Sequence, residues 1–203
     1  MTIKRAGEWG VVVPTPSGAL AVGSDAELAE ALERREPRAL VVRGGDLHRA
    51  VGARRDPATS LRVPIDVLRV EADGQTFLAV AHVVVRPPAW LGWWTAWRGG
   101  RLLAVMNAEH IGAHDVAPRA HPNDGRFDVV EVSAAMPARA RLQAWRRLAT
   151  GTHVPHPDIT TRRGVDEQFC FAPPGALRVD GRDRGLVRSL SVRVEPDAAV
   201  IHL

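Results

Sequence analysis

The residues best placed to do chemistry form a turn, Asn123-Asp124-Gly125, that directly precedes an apolar run. Glycine can adopt the positive φ angle of such a turn, and asparagine and aspartate side chains stabilise turns through local hydrogen bonds. The run from Phe127 to Val132 predicts a β-strand. A carboxylate presented on a loop that a strand holds in place is a common site of metal or phosphate chemistry, although the same residues also make an ordinary β-turn.

Two groups of histidine and aspartate residues are further candidates for metal binding. The first group contains His110, His114, Asp115 and His121, and the second contains His153, His156 and Asp158. Neither group has the ligand spacing of a familiar zinc site. Histidines that form local hydrogen bonds in loops are therefore the simpler interpretation.

A tryptophan-rich segment contains four indole side chains within eight positions, namely Trp90, Trp93, Trp94 and Trp97. Indole favours the boundary between water and lipid, so the segment is a candidate for binding an acyl chain or a lipid surface. The alternative is a hairpin whose tryptophans cover the core or a second copy of the chain, since exposed apolar patches usually contact a partner.

The composition predicts a globular chain with a real core. The chain has 203 residues, of which 45% are hydrophobic, enough for one large or two small domains. No apolar run reaches the length of a transmembrane helix, and the N-terminus lacks the apolar segment of a signal peptide. Cys170 is the only cysteine and lies in a strand-like run. We therefore predict a cytoplasmic protein in which this thiol is a small buried side chain.

The positive charge of the chain is modest and scattered. The net charge is +4, Lys4 is the sole lysine, and the arginines do not form one block. Because a clustered basic face with a recognisable module is missing, nucleic acid is not the expected partner.

The first 60 residues predict an alternation of short strands and helices. The predicted strands are Val11–Val13, Ala19–Val22 and Ala39–Val42, and the predicted helices run from Ser24 or Asp25 to about Arg35 and from Leu47 to Val51. Pro37 ends the first helix. A boundary near residue 60 follows, because the pattern changes from Arg62 onward.

The remainder predicts mostly strands. Asp73-Gly74 is a hairpin signal between Val63–Val70 and Thr76–Val85. The further strands are Leu102–Met106, Ile159–Arg163, Val165–Ala172, Ala176–Val179, Leu186–Val194 and Ala199–Leu203, with a turn at Asp180-Gly181.

One clear helix is predicted in this second half, from Pro137 to Thr150. Leu142, Trp145 and Leu148 have helical spacing. The arginines lie largely off this apolar stripe, at positions Arg139, Arg141, Arg146 and Arg147. Their face is either solvated or attracts phosphate or anionic lipid.

Five short sequence motifs occur in the same order as in one known family. They are Leu103-Ala104-Val105-Met106-Asn107, Val116-Ala117-Pro118-Arg119-Ala120, Pro122-Asn123-Asp124-Gly125-Arg126-Phe127-Asp128-Val129-Val130, Thr150-Gly151-Thr152-His153-Val154 and Val179-Asp180-Gly181. In this order the chain is similar to the C-terminal domain of diacylglycerol kinase-like lipid kinases, a family that includes sphingosine kinases and bacterial lipid kinases. The segment Gly44-Gly45-Asp46 looks like an eroded form of the family's Gly-Thr-Gly-Asn-Asp motif.

The resemblance implies an α+β fold that is mainly β. Residues 61–203 would form a lipid-kinase-like β-sandwich domain with one long helix. Residues 1–60 would form a short α/β remnant of the nucleotide-binding domain. The family's Gly-Gly-Asp-Gly-Thr motif, which receives ATP phosphates, is absent from the sequence.

The resemblance also implies candidate site residues. Asp180 matches the aspartate of a late Asp-Gly-Glu motif implicated in the catalytic base, and Asp46 matches the aspartate of the eroded motif. Asp124 matches an acidic residue of a magnesium site, and His121 stands where that site has a second acid. Magnesium prefers oxygen ligands, so this replacement weakens the site. The predicted ligand-binding residues are Trp90, Trp93, Trp94, Trp97 and Asn107.

We expect a relative without catalytic activity that binds a lipid, a phosphorylated ligand or a protein partner, because phosphoryl transfer depends on positioning the nucleotide. One alternative is an active lipid kinase whose nucleotide site is completed by a partner chain or an oligomer, and only this alternative requires Mg and ATP. Another alternative is a structural dimer module. A lipid or membrane surface and a second copy of the chain are the expected partners.

Overall fold

The computed structural model describes residues 9–52, 58–88 and 100–203. Within these ranges the strands are β1 (Val11–Pro14), β2 (Leu20–Val22), β3 (Leu40–Val42), β4 (Thr59–Ala72), β5 (Gln75–Ala79), β6 (His82–Arg86), β7 (Leu102–Met106), β8 (His110–Ile111), β9 (His114–Asp115), β10 (Phe127–Val132), β11 (Ile159–Gly164), β12 (Asp166–Val179) and β13 (Arg182–His202). The helices in the same ranges are α1 (Asp25–Glu33), α2 (Asp46–Val51) and α3 (Ala138–Leu148).

A large, mostly antiparallel sheet dominates the described part of the chain. Its main path runs β1-β4-β13-β12-β6-β7-β10-β11, and β5 pairs with β4. Strands β2 and β3 join in parallel at the end of β13. Strands β8 and β9 form a separate two-stranded hairpin. The predicted α+β fold with a dominant β-sandwich is therefore confirmed.

Local sequence signals placed most elements correctly. Ser24 caps α1, where its hydroxyl accepts a hydrogen bond from the Glu27 amide at 3.2 Å. The predicted hairpin turn is present at Asp73-Gly74, where both residues have positive φ angles of 45° and 85°. Asp180 and Gly181 join β12 to β13 in the same way, with φ angles of 46° and 79°.

Three predicted strand divisions were wrong. The strands predicted separately over Leu186–Val194 and Ala199–Leu203 are one strand, β13, which crosses a register shift between Glu195 and Ala199 in its pairing with β4. The single strand predicted over Thr76–Val85 is two strands, β5 and β6, because the backbone amides of residues 80–82 bond to the Asp180 carboxylate rather than to a neighbouring strand. The strands predicted separately over 165–172 and 176–179 are one strand, β12, which crosses a register shift between Cys170 and Gly175.

The burial predicted for Cys170 was also wrong, because its thiol is exposed. Phe169 and Phe171 on either side of it are buried in the core. Successive side chains of a strand point to opposite faces, so burying both phenylalanines turns the cysteine outward.

The chief core lies between the folded layers of the sheet. It is built from alternate residues of β4, β6, β7, β10, β12 and β13, including Leu68, Val83, Val105, Phe127, Leu177 and Leu190. A second cluster joins the N-terminal α/β segment to the ends of β4 and β13, through residues such as Leu28, Leu47, Ile65 and Ile201. The division predicted at residue 60 stays a prediction.

Candidate functional site

A cavity of about 560 Å³ lies on the outer side of strands β6, β7 and β10, beneath helix α3 and the β8–β9 hairpin. Its volume falls within the range of ~300–1,000 Å³ typical of small-molecule sites. Most of its lining is apolar, and this part consists of Val84, Leu102, Ala104, Ile111, Val116, Val130, Val132, Met136, Ala144, Trp145, Leu148 and Ile159.

Strand alternation explains why this wall is apolar. Val83 and Val85 of β6 point into the chief core, whereas Val84 between them lines the cavity. Strands β7 and β10 repeat the pattern, since Leu103 faces the core and Ala104 faces the cavity. The three strands are therefore apolar on both faces, which is the pattern of a sheet covered on two sides.

Helix α3 covers the cavity, and its orientation differs from the predicted one. Arg141, which we expected on the exposed face, is buried and donates hydrogen bonds to the carbonyl oxygens of Met136, Gly100 and Ser133 at 3.1, 2.7 and 2.5 Å. Leu142, which we expected on the buried stripe, is 48% exposed. The guanidinium decides the helix rotation because it satisfies three carbonyl groups at once, and burial lowers its pKa.

One end of the cavity is polar. Asp25, Asp46, His82, Arg178 and Asp180 converge there from the N-terminal α/β segment, from β6, and from the β12–β13 turn. Three carboxyl groups and one guanidinium thus stand at the end of a largely apolar space, whose other polar lining residues are Ser24, Arg86, His114, Arg141 and His153. Each carboxyl group is held by a different set of contacts.

Asp180 is fully engaged with the backbone. Its two carboxylate oxygens accept hydrogen bonds from the amides of Val80, Ala81 and His82 at 2.8, 3.0 and 2.9 Å. Burial raises the pKa of Asp180 to about 6, although these three amides lower it. The residue therefore positions the β5–β6 corner.

Asp25 bonds to the start of helix α2. Its carboxylate accepts hydrogen bonds from the amides of Asp46 and Leu47 at 2.5 and 3.1 Å. Gly45 has a φ angle of 102°, and a Cβ atom there would collide with the Asp25 carboxylate, so glycine is required at this turn. Burial, and next the charge of Asp180, raise the pKa of Asp25 to about 6.

Among the residues of the polar end, Asp46 and His82 have side chains that make few hydrogen bonds to the backbone. One Asp46 oxygen accepts a hydrogen bond from the Gly112 amide at 2.8 Å, and the other lies 3.7 Å from Nδ1 of His82. This nitrogen is buried without a hydrogen-bond partner among the described residues. Burial lowers the pKa of His82, so the ring is neutral near pH 7 and can exchange hydrogen bonds with a bound group.

The structure brings together two of the predicted catalytic residues, Asp46 and Asp180, at one end of one cavity. Asn107 is buried outside the lining, where its amide nitrogen donates to the carbonyl oxygens of Asp66 and Val80 at 2.9 and 2.8 Å. Its predicted ligand-binding role stays a prediction. The four tryptophans Trp90, Trp93, Trp94 and Trp97 lie outside the described residues.

Asp124 and His121 lie apart from the cavity. Asp124 accepts a hydrogen bond from the Arg126 amide at 3.1 Å and lies 3.5 Å from the Arg163 guanidinium. Nδ1 of His121 accepts from the Asn123 amide at 3.2 Å, and its ring packs on Trp9. Asp124 and His121 are thus each held by local contacts, and the magnesium site stays a prediction.

No group of three or more His, Cys, Asp or Glu side chains in residues 9–52, 58–88 and 100–203 is arranged to hold a metal ion. His114 instead packs its ring against Trp145, with 4.1 Å between the ring centroids. Nε2 of His153 donates a hydrogen bond to the Val116 carbonyl oxygen at 3.1 Å.

Sequence reasoning missed three residues of the polar end, Asp25, His82 and Arg178. Ser24 and Asp25 were predicted only as the possible cap of α1, and a polar residue at the start of a helix is not by itself a sign of a functional site. His82 is the first residue of β6, and nothing in its local sequence marks it.

The fold and cavity define a β-sandwich protein with one deep, largely apolar site that ends in carboxyl groups. Residues 64–202 match the family model of the YegS C-terminal NAD kinase beta sandwich-like domain. Because the match spans well over half of the chain, the protein belongs to this family. No curated protein sequence matches it.

Solved structures agree on the fold. A crystal structure of a candidate diacylglycerol kinase from Bacillus anthracis str. Sterne superposes with a TM-score of 0.64 at 13% identity, covering 89% of this chain and 75% of that one. A crystal structure of a diacylglycerol kinase from the same source gives a TM-score of 0.59 at 13% identity, covering 89% and 74%. The chain therefore has a diacylglycerol kinase-like fold.

No helix among the described residues is long and apolar enough to cross a membrane. The predicted cytoplasmic location stays a prediction.

Proposed function

We propose that this protein binds a lipid in the cavity, with the acyl chain along the apolar wall and a hydroxyl-bearing head at the polar end. The observation that carries this proposal is the division of one 560 Å³ space into an apolar length and a carboxyl-lined end. Such a space matches an amphiphile, because burial of the chain is favourable only where no polar group is left unpaired.

The charges at the polar end favour a hydroxyl head over a phosphorylated one. A phosphate at the polar end would meet three carboxyl groups, Asp25, Asp46 and Asp180, beside Arg178, and the two other arginines of the lining are Arg86 and Arg141, of which Arg141 is already bonded to three carbonyl groups. A hydroxyl group can donate to Asp46 and accept from or donate to His82, whose Nδ1 is buried and unpartnered among the described residues.

Several contacts support the absence of kinase activity in this chain alone. The turns that precede α1 and α2 already hold carboxylates, since Glu27 accepts from the Gly23 amide at 2.7 Å and Asp25 accepts from the start of α2. Negative side chains at these amides oppose the binding of nucleotide phosphates there. Arg182, at the position of the family's late glutamate, pairs with Glu30.

The binding proposal is tested by calorimetric titration with 1,2-dioctanoylglycerol below its aggregation concentration. Filling the cavity with Val84→Phe and Val132→Phe together is expected to weaken binding at least about tenfold, because each added ring occupies space needed by the acyl chain. Val165→Phe is the control, since Val165 is exposed and outside the lining. If the wild type and the filled variant bound 1,2-dioctanoylglycerol with equal affinity, the cavity would be excluded as the binding site.

Asp46 and Asp180 at one cavity end favour a second candidate, an active lipid kinase whose nucleotide site is completed by another chain. Incubation of the purified protein with Mg-ATP and 1,2-dioctanoylglycerol separates the two. We expect no phosphatidic acid. ATP-dependent product that disappears in Asp46→Asn would replace the non-catalytic proposal with the kinase, whatever the binding titration gives.

A further inference from the structure

Helix α3 has a second face, which points away from the cavity. Arg139, Leu142 and Arg146 are three and four positions apart, so they lie on one side of the helix, and all three are exposed. Trp145 lies at the edge of this side, lines the cavity and is 38% exposed. These four residues, which we call the docking face, therefore border the place where the cavity meets solvent.

The chemistry of this face is that of an interfacial helix. The helix sequence contains four arginines and no acidic residue, and only Arg141 among the arginines is buried. An exposed leucine flanked by arginines, whose stems lie along apolar surface while their charges reach outward, is typical of helices that lie in the headgroup region of a bilayer. The hydrogen bonds of Arg141 to the Met136 and Gly100 carbonyls fix this orientation.

We propose that the docking face binds the surface of an anionic lipid bilayer and places the cavity mouth against the lipid. We choose an anionic bilayer as the partner because its charge complements that of the arginines. Arginines close to an anionic leaflet are attracted to it, whereas a neutral leaflet offers no such attraction. The biological purpose of this contact rests on the proposed lipid-binding function, but attachment to a bilayer is measured independently of cavity binding.

Co-sedimentation with unilamellar vesicles tests the proposal. The full chain should bind vesicles that contain phosphatidylglycerol and should not bind pure phosphatidylcholine vesicles. Arg139→Gln with Arg146→Gln is expected to weaken binding about 25-fold, which corresponds to ~1 kcal/mol for each arginine removed. Salt at about 1 M should abolish binding, since it reduces the screening length to ~3 Å.

The matched control removes the same charge elsewhere. Arg126 and Arg188 are exposed and lie on the β10 turn and on β13. Arg126→Gln with Arg188→Gln should leave vesicle binding within about twofold of wild type, because only charges within a Debye length of the bilayer contribute. Equal loss in both double variants would overturn the docking face as the site.

The apolar part of the face has its own matched pair. Leu142 is 48% exposed and Leu186 on β13 is 46% exposed, and neither lines the cavity. Leu142→Ser should weaken vesicle binding about threefold to tenfold by removing an inserted side chain, whereas Leu186→Ser should not.

The remaining outcomes are decisive in one direction or the other. The proposal is overturned if the wild-type protein fails to bind phosphatidylglycerol vesicles. Binding of a single-stranded oligonucleotide by the helix arginines would not rescue it. The cavity-filled variant with Val84→Phe and Val132→Phe should still bind vesicles. If it binds vesicles but the wild type binds no dioctanoylglycerol, the docking face stands and the proposed cavity ligand fails.

Discussion

Asp46 and His82 differ from their neighbours because their polar atoms are not all used by the backbone. Asp180 and Asp25 together accept five main-chain hydrogen bonds, whereas Asp46 accepts one from Gly112. A half-buried carboxyl group that is only partly engaged can still accept a hydrogen bond from a ligand. At the residue scale, we therefore expect recognition of the lipid head to depend on Asp46 more than on either companion.

Asp46→Asn tests this expectation. The amide oxygen can still accept the Gly112 hydrogen bond, so the fold is retained, but the charge that strengthens the bond to a lipid hydroxyl is lost. Affinity for 1,2-dioctanoylglycerol should fall about fivefold to tenfold. Affinity for the same lipid with its hydroxyl methylated should not change, and a parallel fall for both lipids would contradict a contact with the hydroxyl.

The carboxyl group of Asp25 should also give the protein a measurable pH dependence. Its folded pKa of about 6 exceeds the ordinary value of 3.8, so the folded state holds the proton more tightly. The resulting loss of stability develops as the pH rises from about 4 through about 6, by up to ~1.4 kcal/mol per pH unit. Asp25→Asn removes this loss.

Urea unfolding of wild type and Asp25→Asn at about pH 5 and about pH 7.5 measures the effect. The stability of the variant relative to wild type should be higher at the upper pH. Comparing the two proteins cancels the opposing effect of buried histidines such as His82, whose lowered pKa destabilises the fold on acidification. Asp73→Asn is the control. The pKa of Asp73 is lowered from its ordinary value, so its carboxyl group titrates below both pH values of this experiment.

At the element scale, the turn before α2 and the rotation of α3 are each determined by a single side chain. Gly45 permits the close approach of Asp25, and Arg141 anchors α3 to three carbonyl groups. The sequence predicted both helices from caps and periodicity. It could not predict that an arginine would be buried in place of a leucine, because the guanidinium satisfies the distant carbonyl group of Gly100 together with those of Ser133 and Met136 just before the helix.

Gly45→Ala should cost distinctly more stability than Gly52→Ala. Both glycines have positive φ angles, 102° and 88°, so both variants carry backbone strain of ~1–3 kcal/mol. Only the Cβ atom at residue 45 meets another group, the Asp25 carboxylate, whereas the space at residue 52 is open. Thermal unfolding would contradict this account if the two variants had equal midpoints.

Arg141→Met should lower the free energy of unfolding by about 2–3 kcal/mol, because three carbonyl oxygens lose a charged donor. Arg139→Met, on the exposed side of the same helix, should change it by less than about 0.5 kcal/mol. Urea unfolding followed by circular dichroism distinguishes the two variants. Similar losses would mean that helix propensity, and not the buried guanidinium, determines the stability.

At the scale of the whole molecule, the β-rich fold was predictable because its signals are local. Alternating apolar residues, the Asp73-Gly74 and Asp180-Gly181 turns and the ordered family motifs predicted most strands and the fold class. The candidate site was only half predictable, because it is assembled from residues far apart in sequence. Asp25 and Asp180 are brought together because α1 bonds to β5 through Glu33 and Leu78 and Asp180 bonds to the corner that follows β5, a long-range arrangement that no single stretch of sequence encodes.

Strands β6, β7 and β10 are apolar on both faces, so residues that pack the core alternate with residues that line the cavity. Positions such as Val83 and Val105 are constrained by the core, whereas their neighbours Val84 and Ala104 face a space that nothing in the fold must fill. Ligand preference can therefore drift through substitutions at every second position while the scaffold keeps its stability. Such a protein could evolve to bind a different amphiphile through a series of substitutions, each of which leaves the fold stable.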